Sequence, residues 1–283
     1  RYGDCCMNGA SRRWRPAVTW PDRNGSVGDT GMLSDEQLLR YNRQILLHDF
    51  DVAGQERLQQ ATALVVGLGG LGCPAALYLA AAGVGRLLLA DGDEVELSNL
   101  QRQIAHGDGD IGRNKAQSAA AAIAALNPQV ELEVIPRQLQ ESDLPGIVGG
   151  VDVVIDATDN YPVRYAMNRA SIAAKVPLVS AAAVRSEGQL ALFDPHHGGP
   201  CYRCLYPQEG SDTALSCSDS GVLAPVVGVI GSLQAMEALK LLSGFGEPLR
   251  GKLMLLDLRS MDVRILALPP RSDCPDCGHL QDD

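Results

Sequence analysis

The sequence predicts an α/β fold with a doubly wound, mixed sheet, parallel in its N-terminal part and antiparallel in its C-terminal strands. Three observations predict it. Short apolar runs alternate with helical segments from residue 63 to about 184. A glycine-rich turn, GLGGLG at 67–72, joins the first of these runs to an alanine-rich helix. The last two apolar runs follow each other with only a few residues between, as hairpin strands do.

Ser34 and Gln37 form an S-x-x-Q capping box with Leu33 and Leu38 at the staple positions. They open a helix expected to reach about His48 and to carry RYNRQ at 40–44. ALVVG (63–67) is a short buried strand, and a helix from Pro74 to Ala82 follows the glycine turn. RLLLAD (86–91) is a second strand that ends in an acid. KAQSAAAAIAALNP (115–128) is a helix stopped by Asn-Pro, because the residue before proline is pushed out of the helical region. VELEVIP (130–136) and VDVVIDATD (151–159) add strands, with a short helical segment between them. Continuously apolar strands of this kind belong to a parallel sheet covered on both faces. VPLVSAAAV (176–184) ends that pattern; GQLALFD (188–194), KLMLLDL (252–258) and DVRILAL (262–268) read as hairpin strands. One apolar helix, roughly 221–243, lies between them. No internal repeat or linker appears, so residues 32–283 are expected to form a single domain.

Hydrophobic content of 46 % and charged content of 20 % are ordinary for a globular protein, while aromatics at 4 % leave the core to Ala, Val, Leu and Ile. A net charge of −10 argues against nucleic-acid binding and means that an anionic ligand needs a local basic pocket. Residues 61–85 and 220–236 carry no charge, but glycines and a proline interrupt the first and Glu237 and Lys240 close the second. Neither is expected to span a membrane, and the protein is expected to be cytoplasmic. Residues 1–31 contain no Leu, Ile or Phe and five each of Gly and Arg. They are expected to be a disordered leader, with folding starting near Met32.

Gly67, Gly69 and Gly72 fit G-x-G-x-x-G between a strand and a helix, and Asp91 closes the next strand 19 residues beyond Gly72. Glycines let backbone N–H groups approach a phosphate, and an acid at that place can bind ribose hydroxyls. The turn accepts either a dinucleotide or ATP. Arg43, Arg102 in SNLQRQ (98–103) and Lys115 in GRNKAQS (112–118) supply three cations around it, unless they are ordinary surface charges. A triphosphate asks for such cations because charge builds on the departing pyrophosphate when a nucleophile attacks an inner phosphorus. Asp159 is placed at the carboxyl edge of the sheet, where it can hold Mg²⁺ or cap the next helix.

Cys201-x-x-Cys204 and Cys274-x-x-Cys277 are two knuckles whose four thiolates suit a closed, tetrahedral structural Zn²⁺ site, a staple between the C-terminal tail and the core. Two unrelated pairs or a redox pair are the alternative. His196, His197 and His279 are read as surface residues, and Cys73 as packed. Cys5 and Cys6, in the leader, receive no role.

The ordered set RYNRQ, GLGGLG, DGDEVELSNLQRQ, GRNKA, DATDN, CYRC, GVLAPVVGVIGSLQAMEALK and a terminal CPDC resembles the MoeB/ThiF/HesA group of ubiquitin-activating-like adenylyltransferases, from about residue 33 to 278. Within that group the sequence resembles the molybdopterin-synthase branch. The resemblance implies ATP-dependent adenylation of the C-terminal glycine of a small ubiquitin-like sulfur carrier ending in Gly-Gly, releasing pyrophosphate and serving molybdenum cofactor biosynthesis. Sulfur from a separate donor protein then displaces AMP. A thiamine-pathway carrier is the near alternative, and a nicotinamide dehydrogenase the alternative from another class. Position by position, Gly70 and Asp91 would contact adenosine and ribose. Ser98, Asn99, Leu100, Gln101, Arg102 and Lys115 would line the ATP site, with Asp159 and Asn160 beside metal and phosphates. Arg43 would reach the ATP of the other subunit of a homodimer. Cys217, in a polar loop ahead of the long helix, is a candidate for a covalent carrier adduct.

Overall fold

A computed structural model describes residues 32–207 and 221–280, which belong to the compact unit Met32–Asp283. The expected leader and the loop holding Cys217 lie outside the described residues.

The capping box at Ser34 forms as the sequence indicates, with reciprocal bonds between Ser34 and Gln37. The helix it opens is shorter than expected. It divides into α1 (Asp35–Arg40) and α2 (Asn42–Ile45), because Tyr41 leaves helical geometry at φ −100°, ψ 9°. Tyr41 is buried and its hydroxyl accepts a 2.8 Å bond from Asn127 Nδ2, so a tertiary contact overrides the local pattern. Helix α3 (Asp51–Gln60) then leads into the sheet.

Eight strands form one sheet: β1 (Thr62–Val66), β2 (Arg86–Ala90), β3 (Glu131–Ile135), β4 (Val153–Asp156), β5 (Leu178–Val184), β6 (Glu187–Phe193), β7 (Lys252–Asp257) and β8 (Asp262–Ala267). Their order is β3-β2-β1-β4-β5-β6-β7-β8. Strands β3 to β5 pair in parallel, and β5 through β8 pair antiparallel, so the mixed sheet is as the sequence predicts. Chain order reverses between β1 and β4. Helices α4 (Gly72–Ala81) and α5 (Lys115–Leu126) cover one face, while α6 (Leu144–Val148) and α7 (Tyr161–Ala174) cover the other. The strand period of two sorts side chains between these layers: Ala63 and Val65 enter the first core, Leu64 and Val66 the second.

After the short helix α8 (Tyr202–Leu205), the long helix α9 (Ala224–Ser243) runs through the first core. By length and composition it could cross a membrane, and it is the one such helix among the described residues. Here it lies against α4 and the sheet, with Val226, Ile230, Ala238 and Leu241 buried. Its contact with α4 depends on Gly231, where an added Cβ would sit 2.3 Å from the Leu71 carbonyl oxygen and 2.6 Å from Pro74. Gly231→Ala must therefore push the helices apart. We expect a loss of about 1–3 kcal/mol, the usual cost of overpacking, read as a lower urea midpoint at an unchanged slope.

Candidate active site

The reversal between β1 and β4 opens a crevice at the carboxyl ends of the strands, the place where open α/β sheets bind ligands. The cleft there has a volume of about 1320 Å³. Gly67 makes the turn out of β1 at φ +87°, and a Cβ on it would lie 2.8 Å from the Ala157 carbonyl oxygen. At Gly72, the first residue of α4, a Cβ would fall 1.8 Å from the Gly67 oxygen. Only glycine allows strand end and helix start to meet this closely.

Gly67, Gly69 and Gly70 line the cleft, whereas Gly72 does not; its role is the close approach. The Asp91 carboxylate faces the bend and accepts the Leu68 N–H at 2.6 Å through Oδ2 and the Asp93 N–H at 2.8 Å through Oδ1. Burial raises its pKa above the ordinary 3.8, and the two backbone donors oppose that rise. Arg102 and Lys115 reach the same cleft. Lys115 is buried along its stem, 7 % exposed, and its Nζ meets Asp93 Oδ2 at 2.8 Å. Arg102 is steadied by a 3.1 Å bond to the Ser98 carbonyl. Asn99, Asp159 and Asn160 complete the sequence-derived members of the wall.

Others among the expected residues lie elsewhere. Ser98, Leu100 and Gln101 are not on the cleft wall; they belong to the turn that presents Asn99 and Arg102. Arg43 is exposed on α2, outside the cleft of its own chain. Asp159 does not end the strand as expected, since β4 stops at Asp156. Asp159 is exposed in the loop beyond, and Asn160 caps α7 by accepting the Val163 N–H at 3.2 Å.

Sequence reasoning passed over the residue that does end β4. Asp156 is fully buried and accepts hydroxyl bonds from Ser180 at 2.6 Å and Thr158 at 2.7 Å. It also pairs with the buried Arg164, whose Nε lies 3.4 Å away. Arg164 lines the cleft and donates to the Thr158 and Ala181 carbonyls, so it anchors the loop that carries Asp159. Burial alone would lower the guanidinium pKa, but Asp156, Tyr202 and Tyr206 together outweigh it and the net shift is upward. An acid at the end of VVID and an arginine one helical turn into α7 were the available signals. Gln103, also on the wall, has a buried Oε1 without a protein partner. That orphan acceptor and the open cradle over the glycine bend fit a polar ligand.

The four expected metal ligands come together. Cys201, Cys204, Cys274 and Cys277 are all buried, and their sulfurs lie within 4.8 Å of one another. Neighbouring sulfurs approach to 3.5 Å in the Cys201–Cys274 and Cys204–Cys277 pairs. Four thiols this close without disulfides form a cage that could hold a metal ion, and the Arg271 N–H points at Cys204 Sγ from 3.4 Å. Asn168 and Arg203 tie the second knuckle to the body through Asp276, at 2.8 and 3.2 Å. No histidine belongs to this cluster among the described residues. Cys73, by contrast, is wholly buried under the bend, and burial pushes its thiol up to about 12.

Together these features define an α/β protein with a glycine-bend ligand site at its topological switch point and a separate four-cysteine cage. The chain matches the ThiF family over residues 41–276, and it belongs to that family. It is 49 % identical over 246 residues to the molybdopterin-synthase adenylyltransferase of Escherichia coli, covering 87 % of this chain and 98 % of that one. It is 47 % identical over 246 residues to the sulfur carrier protein ThiS adenylyltransferase of the same organism, covering 87 % and 97 %. Among solved structures, PaaA superposes with a TM-score of 0.74 at 26 % identity, over 87 % of this chain and 78 % of that one.

Removing one partner of a buried charge pair strands the other. Asp156→Asn is therefore expected to cost about 3–5 kcal/mol in chemical denaturation, while Asp159→Asn, at an exposed position, leaves the unfolding midpoint unchanged.

Proposed function

We propose that residues 32–283 are an adenylation domain that uses ATP to activate the C-terminal glycine carboxylate of a small ubiquitin-like sulfur-carrier protein. The observation that carries this reading is the gathering of Arg102 and Lys115 over the glycine bend in a chain of net charge −10. The 49 % identity to an adenylyltransferase supports it. In this scheme the bend and Gly70 hold the phosphates and adenosine, and Asp91 receives the ribose hydroxyls. The carrier's carboxylate attacks the α-phosphorus, forming an acyl-adenylate as the bond to pyrophosphate breaks. A carboxylate at neutral pH needs no general base, so positioning supplies most of the acceleration. Lys115 and Arg102 neutralise the charge that develops on the leaving pyrophosphate. Asp159, with Asn160 beside it, would hold Mg²⁺, which supplies further charge neutralisation on the phosphates when bound.

Arg43 acts in trans in a homodimer in this reading. Exposed Leu39 and Leu46, each 73 % exposed on either side of Arg43, support burial of that surface against a second copy. Mixed dimers of Arg43→Ala and Asp159→Ala subunits should recover part of the activity that each parent lacks; no recovery refutes the trans role. Cys217 receives the carrier covalently in this scheme only if Cys217→Ser loses sulfur transfer while keeping adenylate formation. The sulfur comes from a separate donor protein, and the setting is the cytoplasm, without nucleic acid or membrane. The four-cysteine cage holds structural Zn²⁺: metal analysis of protein purified without chelator should find about one zinc per chain, as a closed four-thiolate site requires.

Carrier-dependent exchange of labelled pyrophosphate into ATP tests the whole reading. We expect exchange with a molybdopterin-type carrier ending in Gly-Gly and none without carrier. A ThiS-type carrier belongs in the same experiment, because the two named relatives differ by only 49 % against 47 % identity. Lys115→Ala should lower exchange by about 100-fold or more, the scale of losing one preorganised charge contact in a transition state. Exchange with neither carrier, or NAD binding in place of ATP, overturns the proposal.

A further inference from the structure

His106 does not line the cleft, yet it bears directly on the bend that does. It is 8 % exposed. Its Nε2 lies 3.0 Å from the Leu68 carbonyl oxygen, and its Nδ1 lies 2.8 Å from Ser118 Oγ. The Cys73 thiol donates to the same Leu68 oxygen at 3.1 Å. A carbonyl can only accept, so Nε2 carries the proton and, in the neutral ring, Nδ1 accepts from the Ser118 hydroxyl. Two acids and one cation bear on this ring: Asp110 and Asp91 favour protonation, Lys115 opposes it, and the Cys73 thiol stays neutral. Burial outweighs them and lowers the imidazole below its ordinary 6.5.

The consequence is a pair of fixed peptide planes. The Leu68 N–H is held by Asp91 and its C=O by His106, so the chain is gripped on both sides just before Gly69 and Gly70 enter the cleft. The other end of the brace is on α5. Ser118 lies three residues beyond Lys115, on the same helical face. His106 therefore sets the distance between the glycine bend and the lysine that faces it.

We propose that His106 is a positioning residue for nucleotide binding: a neutral imidazole strut between Ser118 and the Leu68 carbonyl that fixes the bend relative to Lys115. This rests on the reading of the cleft as an ATP site. The strut touches no reacting atom, so its loss should appear in ATP affinity more than in turnover at saturating ATP.

The test titrates ATP into the full chain by calorimetry and measures carrier-dependent exchange alongside thermal unfolding. His106→Ala should raise Kd and KM for ATP by about tenfold, with kcat changed by less than about threefold. His106→Gln, whose amide can still donate to the Leu68 oxygen, should recover most of the lost affinity. Ser118→Ala, a milder change on the far end, should weaken ATP binding in the same direction and keeps the test available if His106→Ala does not fold. A pH series adds a second readout. The folded-state pKa of His106 is lowered, so wild type should lose stability as pH falls below 6.5 toward that lowered value, and His106→Gln should lack this component. Unchanged ATP affinity in His106→Ala or in Ser118→Ala, with only the melting temperature reduced, overturns the inference while leaving the ATP site intact. Wild-type protein that binds no ATP overturns the site reading and the inference with it.

Discussion

The site depends on an approach between backbones that no side chain could tolerate. At Gly67 and Gly72 the end of β1 and the start of α4 are so close that a methyl group would overlap a carbonyl oxygen. That closeness brings the Leu68 N–H onto Asp91 at the end of β2. Everything that lines the cleft is arranged around this bend. The helix–helix contact at Gly231 backs it from behind, since its close neighbour is the Leu71 carbonyl at the end of the same bend.

The second wall is organised by buried charge rather than by close packing. Asp156 satisfies its oxygens with two hydroxyls and an arginine, and Arg164 spends its donors on two carbonyls of the adjoining loop and strand. Such a pair contributes little net stability once desolvation is counted, but it fixes geometry, because either partner alone in the core would be costly. Here the geometry fixed is the Thr158–Asn160 loop. An exposed carboxylate at Asp159 can thus have a defined position without being buried itself.

Much of this was legible in the sequence, and the limits have physical causes. Apolar strands, the glycine spacing and the paired cysteines are local patterns, and the sheet, the bend and the four-sulfur cage appear where those patterns place them. The break at Tyr41 was not legible because its cause, the hydroxyl bond to Asn127, comes from 86 residues away. The misplacement of the β4 end has a related origin. VDVVIDATD reads as one apolar run to Asp159, but the run contains three acids, and only tertiary contacts from Ser180 and Arg164 decide that Asp156 is the buried one. His106 gave no signal, since a lone histidine in a polar loop has no pattern to read.

The glycine bend by itself does not distinguish a dinucleotide from a triphosphate, so discrimination has to come from the cations opposite. Lys115 shows how an acidic protein keeps such a cation available. Its side chain is buried, which fixes where the ammonium emerges, while its partner Asp93 has a side chain 74 % exposed. An ion pair open to solvent on one side is weak and is exchanged at little cost. Lys115 is therefore held in position by packing and paired with a carboxylate that it can release, so in the proposed ATP site an arriving phosphate would meet a cation already ordered and only loosely engaged. A surface lysine would lose side-chain entropy on binding, and a lysine in a fully buried pair would have to abandon its partner in a medium of low polarity; this arrangement avoids both.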